Sequence, residues 1–192
     1  MTDPISDLPI VFILGLSGVG KSKLGEYLAE DSDFLYIEQD STEGNGIDIW
    51  GLRNDWDNYL NDHSASSLAK TIREKTELKV KKGAVLTFSS VVTLSIKDIE
   101  CAKQSGINTI LLYGTDDDCL NSYLKREQES GRGYGKNRWL KYNTDSSAKF
   151  SSNDYEPFRE QVFDNHEHKS RSYLIEMVNN KINESGHKDY LE

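Results

Sequence analysis

The residues best suited to chemistry lie near the amino terminus, where Gly15 to Ser22 reads GLSGVGKS and fits the pattern G-x-x-x-x-G-K-[ST]. Glycines let such a segment curl until successive backbone N–H groups converge on phosphate oxygens. Lys21 would reach the terminal phosphates of a nucleotide, and the Ser22 hydroxyl is a suitable ligand for Mg²⁺. The motif therefore predicts an ATP-binding loop made of Gly15, Ser17, Gly18, Val19, Gly20, Lys21 and Ser22.

This loop lies between the two elements that its chemistry requires. Residues 8–14, LPIVFIL, form a continuous apolar run typical of a buried parallel strand. Residues 22–30 place apolar side chains at helical spacing. A strand, loop and helix in this order would aim the positive end of the helix dipole at the bound phosphates.

Two carboxylates follow the second predicted strand, FLYI at residues 34–37. We expect this strand to neighbour the first one, which would turn Glu38 and Asp40 towards the phosphates. Glu38 could hold hydrated Mg²⁺, and Asp40 could accept a proton from an attacking hydroxyl. Each could instead be a solvated loop carboxylate. The third strand, AVLTFSS, has no terminal Asp, which disfavours motor-type and switch-type ATPases.

Strands and helices alternate along the rest of the chain. The pattern predicts an α/β fold of three layers, α/β/α, around a mostly parallel five-stranded sheet, with ligands at the carboxyl ends of its strands. We expect residues 1–192 to form one domain. The remaining predicted strands are 84–88, 108–113 and 161–163, and the remaining helices are 52–60, 65–82, 95–105, 116–129, 139–149 and 168–183.

A basic, glycine-rich segment at about 125–145 is predicted to form a helical lid. Its cations surround glycines at 131, 133 and 135, which would absorb a change in backbone conformation during closure. Arg132, inside the glycine-rich part, is the candidate for stabilising the transferring phosphoryl group, with Arg126 and Arg138 as partners on the flanking helices. The alternative is a charged helical hairpin with no catalytic role.

Together these residues resemble the small-metabolite kinases of the nucleoside-monophosphate-kinase fold, above all shikimate kinase and gluconate kinase. Glu38-Gln39-Asp40, 17 and 19 residues after Lys21, occupies the position of the Asp-x-Asp of shikimate kinase. The resemblance implies that Glu38 lies near Mg²⁺, that Asp40 touches the acceptor hydroxyl, and that Arg53 grips an acceptor carboxylate.

The same resemblance places further residues around the acceptor and the nucleotide base. Phe88-Ser89-Ser90 stands where the family has glycines, so Ser89 would line the acceptor pocket. Phe88 would give that pocket a different shape, which disfavours shikimate itself. Trp56 either lines the pocket or packs its own helix, Arg138 would contact the acceptor, and Asp164 would help to cradle adenine.

The favoured hypothesis is an ATP-dependent phosphotransferase that uses Mg²⁺ and moves the γ-phosphoryl group to a hydroxyl of a small polar metabolite. A nucleoside or nucleotide kinase is a second possibility, although the Asp-Gly-[Phe/Tyr]-Pro-Arg segment usual in nucleoside monophosphate kinases is missing. A third is a non-enzymatic regulatory module that binds a nucleotide without turnover.

Composition restricts the kinds of partner and the cellular location that we expect for this chain. With 23 Lys and Arg against 32 Asp and Glu, the net charge is -9, which disfavours nucleic acid. No apolar run approaches the roughly 20 residues that cross a bilayer. Without a basic amino-terminal region, and with Cys101 and Cys119 expected to pack, the chain is expected in the cytoplasm, as a monomer or homodimer. His166 and His168 are expected to be solvated.

Overall fold

The computed structural model describes residues 7–39 and 46–184. At its centre is a sheet of five parallel strands in the order β2-β3-β1-β4-β5, which confirms the predicted α/β architecture. The strands are β1 (Ile10–Leu14), β2 (Phe34–Glu38), β3 (Gly83–Thr87), β4 (Ile107–Tyr113) and β5 (Arg159–Gln161).

Helices cover both faces of this sheet. They are α1 (Lys21–Asp31), α2 (Gly46–Ile49), α3 (Arg53–Asp62), α4 (Ser66–Leu78), α5 (Ile96–Gln104), α6 (Asp116–Glu129), α7 (Lys136–Phe150) and α8 (Arg171–Glu184), with a 3-10 helix at Asn153–Phe158. No helix among residues 7–39 and 46–184 is long and apolar enough to span a membrane.

The strand order corrects one expectation. β2 does not neighbour β1, because β3 lies between them and pairs with both. β1 is therefore the central strand, with β3 on one side and β4 on the other. All five of its residues are buried, as expected for an apolar strand covered on both faces.

Four aromatic side chains pack together on the β1–β3 side of the core. Phe12 of β1 contacts the rings of Trp56, Tyr59 and Phe88, with centroids 5.1 to 6.3 Å apart. Trp56 stacks on Phe88 at 5.1 Å with an interplanar angle of 25°. This cluster anchors α3 to the carboxyl end of β3.

The last part of the chain differs most from its prediction. A hairpin of β6 (Phe163–Asp164) and β7 (Glu167–His168) occupies part of the predicted fifth strand and the start of the predicted closing helix. The closing helix begins at Arg171, after Ser170, whose hydroxyl accepts a hydrogen bond from the Tyr173 amide. A serine before the first turn is a common helix start.

Candidate functional site

The glycine-rich loop connects β1 to α1 at the carboxyl end of the central strand. Gly15, Gly18 and Gly20 have φ angles of 144°, 91° and 97°, a region that L side chains rarely adopt. A Cβ atom on Gly18 would lie 2.0 Å from the Cys119 carbonyl oxygen, and one on Gly15 would lie 2.7 Å from the Leu112 carbonyl oxygen. The backbone curl and its close packing therefore both require glycine.

Lys21 and Ser22 occupy the first turn of α1. The Lys21 ammonium donates hydrogen bonds to the carbonyl oxygens of Gly15 and Leu16, at 2.8 and 2.9 Å, so the side chain curls back over the loop. No acidic residue occupies the first turn of α1. The positive end of this helix and the Lys21 ammonium therefore both favour an anion at the loop.

Glu38 reaches the loop although its strand is not adjacent to β1. Its Oε1 accepts a hydrogen bond of 2.5 Å from the Ser22 hydroxyl. Tyr36, two residues earlier on the same strand, lies 3.3 Å from the Thr87 hydroxyl, and burial raises its pKa to about 12, so its phenol stays protonated. The Ser22 hydroxyl and the Glu38 carboxylate thus form a pair of hydrogen-bonded oxygen atoms beside the first turn of α1. Asp40 lies outside the described residues.

The other neighbours of the loop form three walls. Ser17 contacts α7, where its N–H donates to Asn143 Oδ1 at 2.7 Å and its carbonyl oxygen accepts from the Trp139 indole at 2.9 Å. Gly18 packs on the backbone of α6. Gly20 faces the His168 imidazole of β7. Val19, between them, is buried and its N–H donates to the Leu16 carbonyl oxygen.

Two of the predicted lid arginines form ion pairs with a buried carboxylate. Glu127 is 2% exposed, and its Oε1 accepts hydrogen bonds from Arg126 at 2.8 Å and from Arg132 at 2.9 Å. Glu127 Oε2 is buried without a hydrogen-bond partner. Arg138 lies over the Tyr134 ring, 3.9 Å from its centroid.

Tyr123 links these arginines to the loop. A Cβ on Gly18 would lie 2.8 Å from the Tyr123 amide nitrogen. Burial raises the pKa of Tyr123, and the charges of Arg138, Arg126 and Arg132 oppose that rise. The structure therefore places Arg126 over the Tyr123 ring, 5.3 Å from its centroid, and the Tyr123 amide against Gly18 of the glycine-rich loop.

The residues predicted to bind the acceptor differ in burial and in the contacts that they make. Arg53, partly exposed, forms an ion pair with Asp48, at 2.9 Å between Nε and Oδ1. Trp56 is 3% exposed and packs in the aromatic cluster. Ser89 follows β3, and its carbonyl oxygen accepts from the Val92 amide. Among the residues described here, the Trp56 indole is thus part of the core.

His168 is the residue that sequence reasoning misjudged. It is half-buried, its ring lies 4.2 Å from that of Phe163, and its Nε2 is buried 3.2 Å from where a Cβ on Gly20 would be. Burial lowers its pKa. No periodicity in the sequence could have marked this position, because its strand has only two residues. His166 is instead an exposed turn residue, 2.7 Å from Asp118.

The hairpin also borders an open cavity of about 690 Å³. Asp164, on its exposed side, is among the lining residues. No cluster of three or more His, Cys, Asp or Glu that could hold a metal occurs in the described part of the chain.

As a sequence, the chain matches no protein-family profile and no curated protein. Its fold is similar to that of a gluconokinase from Sinorhizobium meliloti 1021, with a TM-score of 0.50 and 16% identity over 92% of this chain and 93% of that one. A shikimate kinase from Acinetobacter baumannii in complex with shikimate gives 0.48 and 17% over 92% and 94%, and one from Bacteroides thetaiotaomicron gives 0.47 and 16% over 90% and 95%. At these identities the likeness concerns the fold.

Proposed function

We propose that this chain, which has the fold of the P-loop small-metabolite kinases, is an ATP-dependent phosphotransferase acting on a hydroxyl of a small polar metabolite. The observation that carries the proposal is the glycine cradle at the end of the central strand, with Lys21 curled over it and the Ser22 and Glu38 oxygens beside it.

The residues present fit both ATP and Mg²⁺. The cradle is kept free of side chains by glycines whose Cβ atoms would collide with backbone, which leaves N–H groups to bind phosphate oxygens. Ser22 and Glu38 offer the oxygen ligands that Mg²⁺ prefers, Ser22 directly and Glu38 through water. The bound ion would neutralise charge on the phosphates.

The chain's own groups would then position and stabilise the transfer. The acceptor oxygen forms a bond to the γ-phosphorus as the bond from that phosphorus to the bridging β,γ-oxygen breaks. Asp40, known here from the sequence alone, would take the hydroxyl proton. Lys21 would move from the Gly15 and Leu16 carbonyls to the phosphates, and Arg132, held by Glu127, would donate its remaining N–H groups to the transferring phosphoryl group.

The remaining predicted residues divide between the two substrates. Arg126 lies on α6, which packs on Gly18, and Asp164 lies on the hairpin strand paired with the one that carries His168 beside Gly20, which supports assigning both residues to the nucleotide. Arg53, Ser89 and Arg138 remain candidates for the acceptor. Trp56 would act on the acceptor pocket through its stacking on Phe88.

The test is ADP release from ATP and Mg²⁺ with a panel of sugars, sugar acids, cyclitols and nucleosides. We expect one class of polar metabolite to stimulate release. Stimulation by nucleosides alone would favour a nucleoside kinase, and tight ATP binding with no stimulated release would favour a regulatory module.

Lys21→Met is the matched test of the loop. We expect acceptor-stimulated ADP release to fall by about a hundredfold or more, because the ammonium is lost where charge develops in the transition state. Lys23→Met, an exposed lysine two residues along the same helix, is the control and should keep its activity. Unchanged turnover in Lys21→Met would remove the proposed role of the loop.

A further inference from the structure

Both backbone polar groups of one residue of the phosphate-binding loop are held by side chains of α7. The Ser17 N–H donates to Asn143 Oδ1 at 2.7 Å, and the Ser17 carbonyl oxygen accepts from Trp139 Nε1 at 2.9 Å. The two partners are 126 and 122 residues away along the chain. Both backbone groups of Ser17 are therefore occupied by one helix of the lid segment.

These contacts are buried and internally satisfied. Trp139 is 2% exposed and Asn143 is 1% exposed. The Asn143 amide group donates in turn to the Trp139 carbonyl oxygen at 2.8 Å. Buried amide and indole groups are costly unless paired, and a fully paired set of this kind defines one geometry.

The same helix joins Ser17 to the end of β3. The Ser17 hydroxyl donates to the Ser90 hydroxyl at 3.0 Å, and the Ser146 hydroxyl donates to the Ser90 carbonyl oxygen at 2.6 Å. Ser90 follows Ser89, the residue predicted to line the acceptor pocket. Gly20, at the other end of the loop, faces the His168 hairpin instead. Ser17 is thus on the acceptor side of the loop.

We propose that Trp139 and Asn143 are positioning residues that fix the backbone of Ser17 and so form the acceptor-side wall of the phosphate-binding loop. The inference rests on the proposed function. Because Ser17 donates its N–H to Asn143, the phosphate cradle is built from the later N–H groups of the loop. Loss of the wall would admit water and loosen the acceptor, with little effect on nucleotide affinity.

The experiment compares four variants of the full chain. Asn143→Leu and Trp139→Phe each remove one bond to Ser17 while keeping most of the side-chain volume. Ser146→Ala removes the buried bond from α7 to the Ser90 carbonyl oxygen without removing a bond to Ser17. Thr144→Val alters an exposed hydroxyl of the same helix that bonds only to Leu140.

The main readout is the ratio of acceptor-stimulated to acceptor-independent ADP release, measured beside the ATP dissociation constant. We expect Asn143→Leu and Trp139→Phe to lower the ratio by about tenfold or more, with ATP affinity changed by less than about threefold. Ser146→Ala and Thr144→Val should keep the ratio. If Ser146→Ala lowers it as much as Asn143→Leu, α7 contributes only packing and the proposal fails.

A second readout needs no activity. Amide hydrogen exchange at Ser17 should be slow in the native chain, about tenfold faster or more in Asn143→Leu, and unchanged in Ser146→Ala. Equal exchange in the native chain and Asn143→Leu would overturn the inference. If the native chain shows this exchange pattern but no acceptor stimulates its ADP release, the proposed function is overturned. The proposal that α7 fixes the backbone of Ser17 would then remain supported. Should Asn143→Leu fail to fold, Trp139→Phe carries the activity comparison.

Discussion

At the scale of single residues, the glycine-rich loop depends on the absence of side chains at its glycines. Gly18 combines a φ of 91° with a backbone wall, the Cys119 carbonyl, where a side chain would begin. The motif could be predicted because its residues are contiguous in the sequence. The need for glycine at position 18 could not be predicted, because the backbone that Gly18 contacts belongs to a helix about a hundred residues later in the sequence.

We predict that Gly18→Ala lowers the free energy of unfolding by about 3 to 5 kcal/mol, through backbone strain and overpacking together. Gly133→Ala is the matched control, since its φ is also positive, at 68°, and no atom lies within 4 Å of its Cβ position. It should lose only about 1 to 2 kcal/mol. Urea unfolding measures both, and equal losses would show that α6 yields to the added methyl group.

A second prediction at this scale concerns pH. Burial alone would raise the pKa of Asp98, but hydrogen bonds from Ser95 and His63 outweigh it and hold the pKa below its ordinary value of 3.8. A carboxyl whose pKa is lowered by folding stabilises the fold above its unfolded pKa, and that contribution is lost as the pH falls through the folded pKa.

The stability advantage of the native chain over Asp98→Asn should therefore be largest near pH 6 and shrink at pH 3 and below. Urea unfolding at the two pH values measures it. Asp57→Asn, at an exposed position, should show a much smaller difference at either pH. An advantage that grows on acidification would mean that Asp98 is not held ionised by these partners.

At the scale of elements, the alternation of strands and helices was predictable and their arrangement was not. Each strand has a local apolar pattern, but nothing local says that β3 inserts between β1 and β2. Glu38 still reaches Ser22 from the further strand. The β6–β7 hairpin has two residues in each strand, too few for any periodicity to register.

Glu127 was missed for a related reason: a single glutamate in a charged helix looks solvated until the fold buries it. It holds Arg126 and Arg132 at one oxygen atom. We predict that Glu127→Gln lowers kcat by about tenfold to a hundredfold, because the two guanidinium groups lose the charge that positions them. ATP affinity should change by less than about threefold.

Steady-state kinetics of phosphoryl transfer provides the measurement. The control is Glu129→Gln, which alters an exposed glutamate on the same helix and should leave kcat unchanged. A normal kcat in Glu127→Gln would show that the arginines find their positions without this carboxylate.

At the scale of the whole molecule, the acidic chain carries a local basic region where the lid segment meets the loop. The net charge is -9, yet Arg126 and Arg132 share the Glu127 carboxylate, and Arg126 also lies over the Tyr123 ring, 5.3 Å from its centroid. Composition indicated where cations concentrate along the chain. It could not indicate which of them share a partner, since that depends on how α6 and the segment after it fold.

We predict that ADP with Mg²⁺ stabilises the folded chain. A ligand at a hundredfold above its dissociation constant adds about 2.7 kcal/mol. For a chain of this size that corresponds to a rise in Tm of roughly 5 to 11 °C. Differential scanning calorimetry measures the shift, which should become small in Lys21→Met and decrease when EDTA removes the ion that Ser22 and Glu38 would hold. A full shift in Lys21→Met would place the nucleotide elsewhere.

The three walls of the loop also determine when it can form during synthesis. The loop precedes all of its supports in the sequence, which are Leu112, Cys119, Asn143 and His168. A nascent chain on the ribosome must therefore carry a glycine-rich stretch without its supports until His168 has left the exit tunnel. Nucleotide capture by the proposed site would then report that this distant hairpin has already folded.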